Sequence, residues 1–196
     1  MTAAVVHQAA AHCLGYPDPD QDLALVRAAV AELRGPAARE LTAFLAHTPS
    51  AGHYTEVFDF TNRHSLYLSW WTDGDTRRRG TALLAFQDAY RARGFRLAAA
   101  ELPDFLPVVL EFCAATGDDA LLREHRPALE LLRLALTEAG TPYAHVLAAV
   151  CATLPGPSPA DRAQAMALAR SGPPREEVGR EPYGHLAHLP VLSGGH

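Results

Sequence analysis

The chain has 196 residues, of which 48% are hydrophobic and 20% charged, and its formal net charge is −5 at pH 7. These values are ordinary for a globular chain of roughly one domain. The modest negative charge gives no indication that the chain binds nucleic acid or an anionic membrane. Cys13, Cys113 and Cys151 are far apart and form no C-x-x-C pair, which argues against a disulfide framework and a zinc site.

The first residues, MTAAVVHQAAAHC, contain no basic segment followed by a long apolar one. No stretch of about 18 apolar residues runs unbroken anywhere in the chain. We therefore expect a cytoplasmic protein that is neither exported nor inserted into a membrane.

Helix start and stop signals follow one another along the chain, whereas alternating β-branched runs are missing, and this pattern predicts an all-α fold. Helices are predicted near 3–14 and 20–34, around Leu41 to Leu45, around Tyr54 to Phe58, from Asp75 or Thr76 to Gly94, at 105–115, at 118–139 with a kink or break at Pro127, and from Thr141 to Leu154. The aromatic run SLYLSWW at 65–71 is predicted to be a buried turn or two of helix.

The sequence PGPSP at 155–159 predicts the end of the compact region. We expect a helical domain over residues 1–155 and a flexible tail over 156–196, rich in proline and glycine, with one short polar helix near 160–170.

The stretch ELPDFLPVVLEF at 101–112 places two acids and two prolines before an apolar run. Asp104 is suited to be the N-cap of the following helix, and Pro107 then falls in its first turn, where a missing N–H costs little. The helix start leaves Glu101 and Pro103 without a structural reason. Two interpretations stay open: a simple helix cap, or a stiff binding loop that presents two carboxylates.

Sequence motifs for catalysis are missing from the chain. It has no P-loop, no dinucleotide-binding glycine motif, no nucleophile elbow and no H-E-x-x-H pair. The histidines His7 and His12 do not share a helix face, and those at 185, 188 and 196 lie in the predicted tail, so we expect no metal site and no cofactor. Each cysteine lies in an apolar helix stripe, which argues against a reactive thiol.

Arginines crowd the segment that begins at Arg77, but Asp73, Asp75 and Asp88 lie among them. A solvated helix face accounts for this pattern, since i,i+4 pairing absorbs part of the charge. An alternative function is a nucleotide-binding helical protein that uses the turn from Arg77 to Arg79 as its phosphate contact. A helical regulator of nucleic acid is a third hypothesis, which the negative net charge disfavours.

Two segments are distinctive when taken together: FDFTNRHSLYLSWWTDGDTRRRGTALLAFQDAYRARG at 58–94 and ELPDFLPVVLEF at 101–112. They resemble the NarJ family, the assembly chaperones of respiratory nitrate reductase. The similarity covers roughly residues 1–155 and extends to the wider TorD and DmsD group, which shares an all-helical fold. Phe105 stands where the motif of that group usually carries histidine, so the resemblance implies no role here that needs an imidazole.

The resemblance implies a non-enzymatic chaperone of the single-domain helical bundle type. It implies that the chain binds the N-terminal peptide of the apo catalytic (alpha) subunit of nitrate reductase and assists molybdenum cofactor insertion, with cofactor delivery proteins as further partners. Such a peptide needs apolar and aromatic walls with charged groups at the rim. We predict that the partner-binding residues are Tyr67, Trp70, Trp71, Asp75, Arg77, Arg79, Glu101, Pro103, Asp104 and Phe105.

Overall fold

A computed structural model describes residues 2–17, 23–60, 62–74, 76–97 and 101–171 of the chain. Within these ranges the chain forms eleven α-helices and a short 3-10 turn at Asn62–His64: α1 Thr2–Leu14, α2 Ala24–Ala31, α3 Pro36–Ala46, α4 Ala51–Phe58, α5 Leu68–Asp73, α6 Arg77–Ala92, α7 Leu106–Thr116, α8 Ala120–Glu124, α9 Arg126–Glu138, α10 Tyr143–Cys151 and α11 Arg162–Ser171. The all-α prediction is confirmed, since the described residues contain no strand beyond one isolated bridge.

Helices α1, α7 and α10 form the centre of the molecule. α1 packs along α7 and also contacts α10, while α10 lies against α3 and α9. α10 carries Tyr143, Val146, Leu147 and Val150 as fully buried side chains, so most of its circumference faces protein. A helix that is apolar on most sides is stable only inside the fold, which explains its central position.

The segment predicted as one long helix at 118–139 is two helices, α8 and α9, that meet at His125. Pro127 lies in the first turn of α9. Proline is tolerated there because the first amides of a helix have no partner within the helix. The prediction of a break at this proline is therefore confirmed, with the break located two residues before it.

The proline-rich segment at 155–159 is anchored to α9 by arginine side chains. Arg126 donates to the carbonyls of Pro155, Gly156 and Pro157, with the last two contacts at 2.9 and 3.0 Å. Arg133 donates to the carbonyl of residue 159 at 2.7 Å. Prolines have no amide donor, so the segment offers mainly carbonyl acceptors, and guanidinium groups with five donors each are suited to bind several of them.

A buried carboxylate holds the two guanidinium groups in place. Glu130 accepts from Arg133 at 2.7 Å and from Ser158 at 2.7 Å, and its Oε1 lies 3.4 Å from the Nη2 atom of Arg126. The side chain of Glu130 is 0% exposed. We call Glu130, Arg126, Arg133 and Ser158 the α9 anchor.

Helix α11 follows the α9 anchor and packs on α9, with Ala165 fully buried in the contact. The short helix expected near 160–170 is thus present, and residues 155–171 lie against the helical body. The division into a domain that ends at 155 and a flexible tail stays a prediction, since residues 172–196 lie outside the described part of the chain.

None of the helices in the described ranges combines the length and the apolar character needed to cross a membrane.

The three thiols are expected to resist modification in the folded protein. Burial raises the pKa of Cys13 and of Cys113 to about 12, and it also raises the pKa of Cys151. Because the thiolate is the reactive form, a disulfide reagent at neutral pH should label fewer than one thiol per chain over the time in which it labels all three in urea. Fast labelling of the native chain would contradict the burial of these side chains.

Candidate functional site

The aromatic run before α5 and the ELPD stretch before α7 lie side by side. Tyr67 and Phe105 form an isolated antiparallel bridge, and the amide of Leu68 donates to the carbonyl of Asp104 at 3.0 Å. The rings of Tyr67 and Phe105 have their centroids 5.3 Å apart. We call these two half-buried residues the aromatic pair. The prediction that the run at 65–71 is a buried turn or two of helix is corrected for its first part, because residues 65–67 are not helical, Tyr67 is extended, and the helix begins at Leu68.

The Asp104 side chain points away from solvent and is fully buried. Its Oδ2 atom accepts from the hydroxyl of Ser69 at 2.6 Å and from the amide of Ser69 at 3.2 Å. The guanidinium of Arg79 lies 3.9 Å from the same oxygen. Oδ1 has no hydrogen-bond partner among the described residues. The carboxylate is therefore a buried acceptor that fixes two other elements, α5 and α6.

The prediction that Asp104 caps its own helix is wrong. The N-cap of α7 is Phe105, and no side chain caps that end. Asp104 instead satisfies the amide of Ser69 in the first turn of α5, so it caps a helix that lies 35 positions away in sequence. First-turn amides lack a partner within the helix, and a carboxylate near them is also favoured by the helix dipole.

Arg79 connects the arginine-rich helix α6 to this carboxylate. Its Nε donates to the hydroxyl of Ser69 at 3.3 Å, and its guanidinium carbon lies 5.6 Å from the centroid of the Tyr67 ring. The Ser69 hydroxyl thus accepts from Arg79 while it donates to Asp104. Arg77 and Arg78, by contrast, are exposed, and Asp75 lies outside the described residues.

Two aromatic side chains hold the rest of α6 against the body. The Tyr90 hydroxyl donates to the carbonyl of Pro103 at 2.6 Å, and the Phe86 ring stacks on His125 at 4.5 Å between centroids. Burial lowers the pKa of His125, although the charges of Glu124 and other nearby carboxylates oppose this shift. Pro103, for which the sequence offered no structural reason, is buried and supplies the acceptor for Tyr90.

Glu101 is exposed, and its charge acts on Tyr67 of the aromatic pair. Burial raises the pKa of Tyr67, the charges of Glu101 and Asp104 raise it further, and Arg79 opposes them. Glu101 also lines a cleft of about 560 Å³ between the C-terminal end of α6 and the face of α7. The apolar walls of this cleft include Tyr90, Phe95, Leu97, Val108 and Phe112.

We call this cleft between α6 and α7 the apolar cleft. A second cleft of about 450 Å³, lined by α1, α2 and the end of α7, shares Gln8 and Ala115 with it, so the two adjoin. Sequence reasoning missed both clefts. Phe95 follows the Gly94 stop signal, and its 41% exposed side chain lies edge-on to Phe112, at 5.4 Å between centroids. An exposed phenylalanine just after a helix stop was the one local signal available.

Trp70 and Trp71 lie away from the apolar cleft. They line a separate pocket of about 610 Å³ formed by the 3-10 turn, α5, the end of α9 and the start of α11, and Tyr67 is not among its lining residues. The indole N–H of Trp71 donates to the carbonyl of Ser65 at 2.9 Å. We call this feature the tryptophan pocket. The nine predicted partner-binding residues that the structure describes are therefore divided between two surfaces and a buried support, and Asp75 lies outside the described residues.

Metal chemistry has no geometric basis in the described part of the chain, where no three His, Cys, Asp or Glu side chains are grouped to hold an ion.

Sequence comparisons relate the chain to proteins whose names refer to nitrate reductase. The nitrate reductase delta subunit family matches residues 22–149. The nitrate reductase-like protein NarX of Mycobacterium tuberculosis is 43% identical over 158 residues, which cover 76% of this chain and 24% of that protein.

Two relatives are named as nitrate reductase molybdenum cofactor assembly chaperones NarJ, the first of them as a probable one. The protein of Bacillus subtilis is 40% identical over 68 residues, covering 35% of this chain and 37% of the relative. The protein of Escherichia coli is 34% identical over 94 residues, covering 46% of this chain and 40% of the relative. This chain thus spans about a quarter of NarX and aligns with less than half of either NarJ protein. The match over 22–149 includes the aromatic pair, Arg79 and the Asp104 support, and it identifies the chain as a member of the nitrate reductase delta subunit family.

Proposed function

We propose that this protein is a cytoplasmic chaperone for the assembly of respiratory nitrate reductase. In this proposal it binds the N-terminal peptide of the apo catalytic (alpha) subunit and assists molybdenum cofactor insertion, with cofactor delivery proteins as further partners and without catalysing a reaction. Membership of the nitrate reductase delta subunit family and the names of the NarJ relatives support this function.

One observation carries the proposal for where the peptide binds. Tyr90 and Glu101 line the apolar cleft, and Tyr90 donates to the carbonyl of Pro103, two residues before Phe105, so the cleft and the aromatic pair are neighbours. Apolar walls, two aromatic rings and an exposed carboxylate at the rim are the features that bind an amphipathic helical peptide by its apolar face. Arg79, whose guanidinium carbon lies 5.6 Å from the centroid of the Tyr67 ring, adds positive charge at the side of the aromatic pair, and Arg77 is exposed at the start of the same helix.

The predicted binding residues take different parts in this proposal. Tyr67, Phe105 and Glu101 contact the peptide directly, and the two arginines contribute at the rim. Asp104 and Pro103 are buried, so they position other residues and do not contact the peptide. Asp104 holds Ser69 and Arg79, and Pro103 holds Tyr90. Contacts of the peptide with Trp70, Trp71 and Asp75 stay predictions.

The alternative function, nucleotide binding through the turn from Arg77 to Arg79, has less support from the geometry. Arg79 is already engaged by Ser69 and the Tyr67 ring, and it lies next to the Asp104 carboxylate. A phosphate would have to compete with that carboxylate for the same guanidinium. Arg77 and Arg78 alone would remain for a phosphate contact.

A matched pair of phenylalanine substitutions tests the location of the peptide site. Phe95→Ala removes a wall of the apolar cleft and should weaken binding of a synthetic N-terminal peptide of the catalytic subunit by at least about tenfold, as aromatic anchors typically do. Phe60→Ala removes a more exposed ring, at 73% against 41% exposure, that lines no described cleft, and should leave the affinity unchanged. Isothermal titration gives both dissociation constants.

Melting temperatures should be measured on the same samples, so that a folding defect is not mistaken for lost contact. If both variants bind the peptide like the unmodified protein, the apolar cleft is not the peptide site. If the unmodified protein itself binds no catalytic-subunit peptide, the proposed function is wrong.

A further inference from the structure

The second cleft, which adjoins the apolar cleft, is lined mainly by small apolar side chains. Five alanines, two valines and Leu25 form most of its lining, and its polar residues are Gln8 and His12. The described residues that line it include no Asp, Glu, Lys or Arg. Leu25 is 78% exposed at its wall. We call this feature the α1–α2 cleft. Alanine walls leave room for larger side chains, so the cleft suits an uncharged segment that carries leucines.

Residues 172–196 follow α11 and lie outside the described part of the chain, and their sequence divides into two parts. The charged residues all fall within 175–181, whereas 182–196 contain no Asp, Glu, Lys or Arg. This uncharged part includes the run HLAHLPVL at 185–192, with leucines at 186, 189 and 192. Because the run is apolar and carries no acid or permanent cation, contact with an apolar surface is more favourable for it than exposure to water.

The spacer before this run is long enough to carry it beyond the face that holds α11. Leu186 follows Ser171, the last described residue, by 15 positions, and an extended chain of that length spans up to about 50 Å. A compact body of about 170 residues has a radius of gyration of roughly 15 Å. A tethered segment has an effective concentration of roughly millimolar, so a modest intrinsic affinity is enough to keep it bound.

We propose that residues 185–192 bind in the α1–α2 cleft of the same chain, with Leu186 and Leu189 against its alanine walls. This run then departs from the flexible tail that the composition predicts. The α1–α2 cleft shares Gln8 and Ala115 with the apolar cleft, so the bound run overlaps the edge of the proposed peptide site. It therefore competes with the catalytic-subunit peptide, and this last step rests on the proposed function.

Hydrogen exchange of the full chain, followed by mass spectrometry, tests whether the run is bound. Fragments that cover 185–192 should exchange at least about tenfold more slowly than fragments that cover 175–184. Leu189→Ser should abolish this protection, because it removes a central apolar contact. Val178→Ser, a control in the charged part of the same segment, should leave the protection unchanged. Protection within one chain is independent of protein concentration.

Two pairs of introduced cysteines test where the run lies. Leu25→Cys with Leu189→Cys should form a disulfide under mild oxidation at least about fivefold faster than Leu84→Cys with Leu189→Cys, since a disulfide needs Cα atoms within about 7 Å. Leu84 is a matched control, because it is also an exposed leucine on a helix and lines none of the described clefts. The native thiols are buried and react slowly.

Titration calorimetry with a synthetic N-terminal peptide of the catalytic subunit tests the competition. Leu189→Ser should bind this peptide at least about threefold more tightly than the unmodified protein, because the competing run is released. Val178→Ser should bind it like the unmodified protein. Unchanged affinity of Leu189→Ser would overturn the competition. If the unmodified protein binds no such peptide, the proposed function fails, whereas exchange and cross-linking still decide whether the run occupies the cleft.

Three results would overturn the binding of the run in the α1–α2 cleft. The first is exchange of 185–192 as fast as that of 175–184, and if the catalytic-subunit peptide then protects α2, the cleft belongs to that peptide. The second is an equal rate of disulfide formation in the two cysteine pairs. The third is protection that rises with protein concentration, which would assign the cleft to a second copy of the chain.

Discussion

Asp104→Ala is expected to lower the free energy of unfolding by about 3 kcal/mol, because it removes the acceptor of two Ser69 donors and the anion that faces Arg79. For a chain of this size that loss lowers the melting temperature by about 6–12 °C. Thermal and urea unfolding measure both quantities. As a control, Asp88→Ala removes an exposed carboxylate paired with Arg91 and should cost less than about 0.5 kcal/mol.

The Asp104→Asn variant distinguishes a buried carboxylate that holds α5 and α6 from a helix cap on the surface. The amide oxygen can still accept from Ser69, but the charge facing Arg79 is lost and a buried amide nitrogen takes the place of Oδ1, which has no described partner. We therefore expect a loss of about 1–2 kcal/mol, where a cap on the surface would lose only about a few tenths. Near-equal stability of Asp104→Asn and the unmodified protein would contradict the buried arrangement.

Peptide binding by the same Asp104 variants tests whether the buried carboxylate supports the peptide site. Ser69 and Asp104 hold Arg79 in position, and Arg79 contacts the Tyr67 ring. Loss of these buried contacts should therefore weaken peptide binding even where the chain stays folded. We expect Asp104→Asn to reduce the affinity by about three- to tenfold below its melting transition. Unchanged affinity would limit Asp104 to a structural role.

Glu130→Ala is expected to have a still larger effect on stability, about 4 kcal/mol, since it leaves two largely buried guanidinium groups and a hydroxyl without their shared acceptor. The corresponding melting temperature falls by about 8–16 °C. Glu32→Ala, which removes an exposed acid at the end of α2, is the matched control and should be nearly neutral.

The same variant also gives a local readout. Arg126 and Arg133 hold the carbonyls of 155–159, so disturbing them should release that segment and α11 from α9. Limited proteolysis should then cut between 155 and 161 much faster in Glu130→Ala than in Glu32→Ala. Equal cleavage rates in the two variants would mean that the α9 anchor does not retain α11.

Most helices were determined by local sequence. Gly94 ends α6 with a φ of 78°, a left-handed conformation that glycine adopts without steric cost, and Pro127 begins α9 in a first turn that needs no amide donor. Gly35 and Pro36 likewise separate α2 from α3. These signals act through the backbone of a few neighbouring residues, which is why the all-α fold and most helix ends could be predicted from the sequence.

Tertiary structure alone decided what the ELPD stretch does. The sequence placed Asp104 at a helix start, where capping its own helix and binding a partner were both reasonable. The donors that its carboxylate accepts from lie instead on Ser69, 35 positions away. In the same way, Trp70 and Trp71 follow Tyr67 directly and yet line a different surface. Helix periodicity assigns an apolar residue to a buried face without showing which other helix will cover that face.

The sequence by itself therefore determined the fold class, the positions of most helices and the resemblance that named the family. The packing of helices distant in sequence decided which carboxylate is buried, which aromatic rings share a cleft and how the proline-rich segment is held. The physical reason is the distance along the chain over which each interaction acts. Backbone preferences and caps act within about one helical turn, whereas a buried hydrogen bond or a cleft wall depends on groups that only long-range packing brings together.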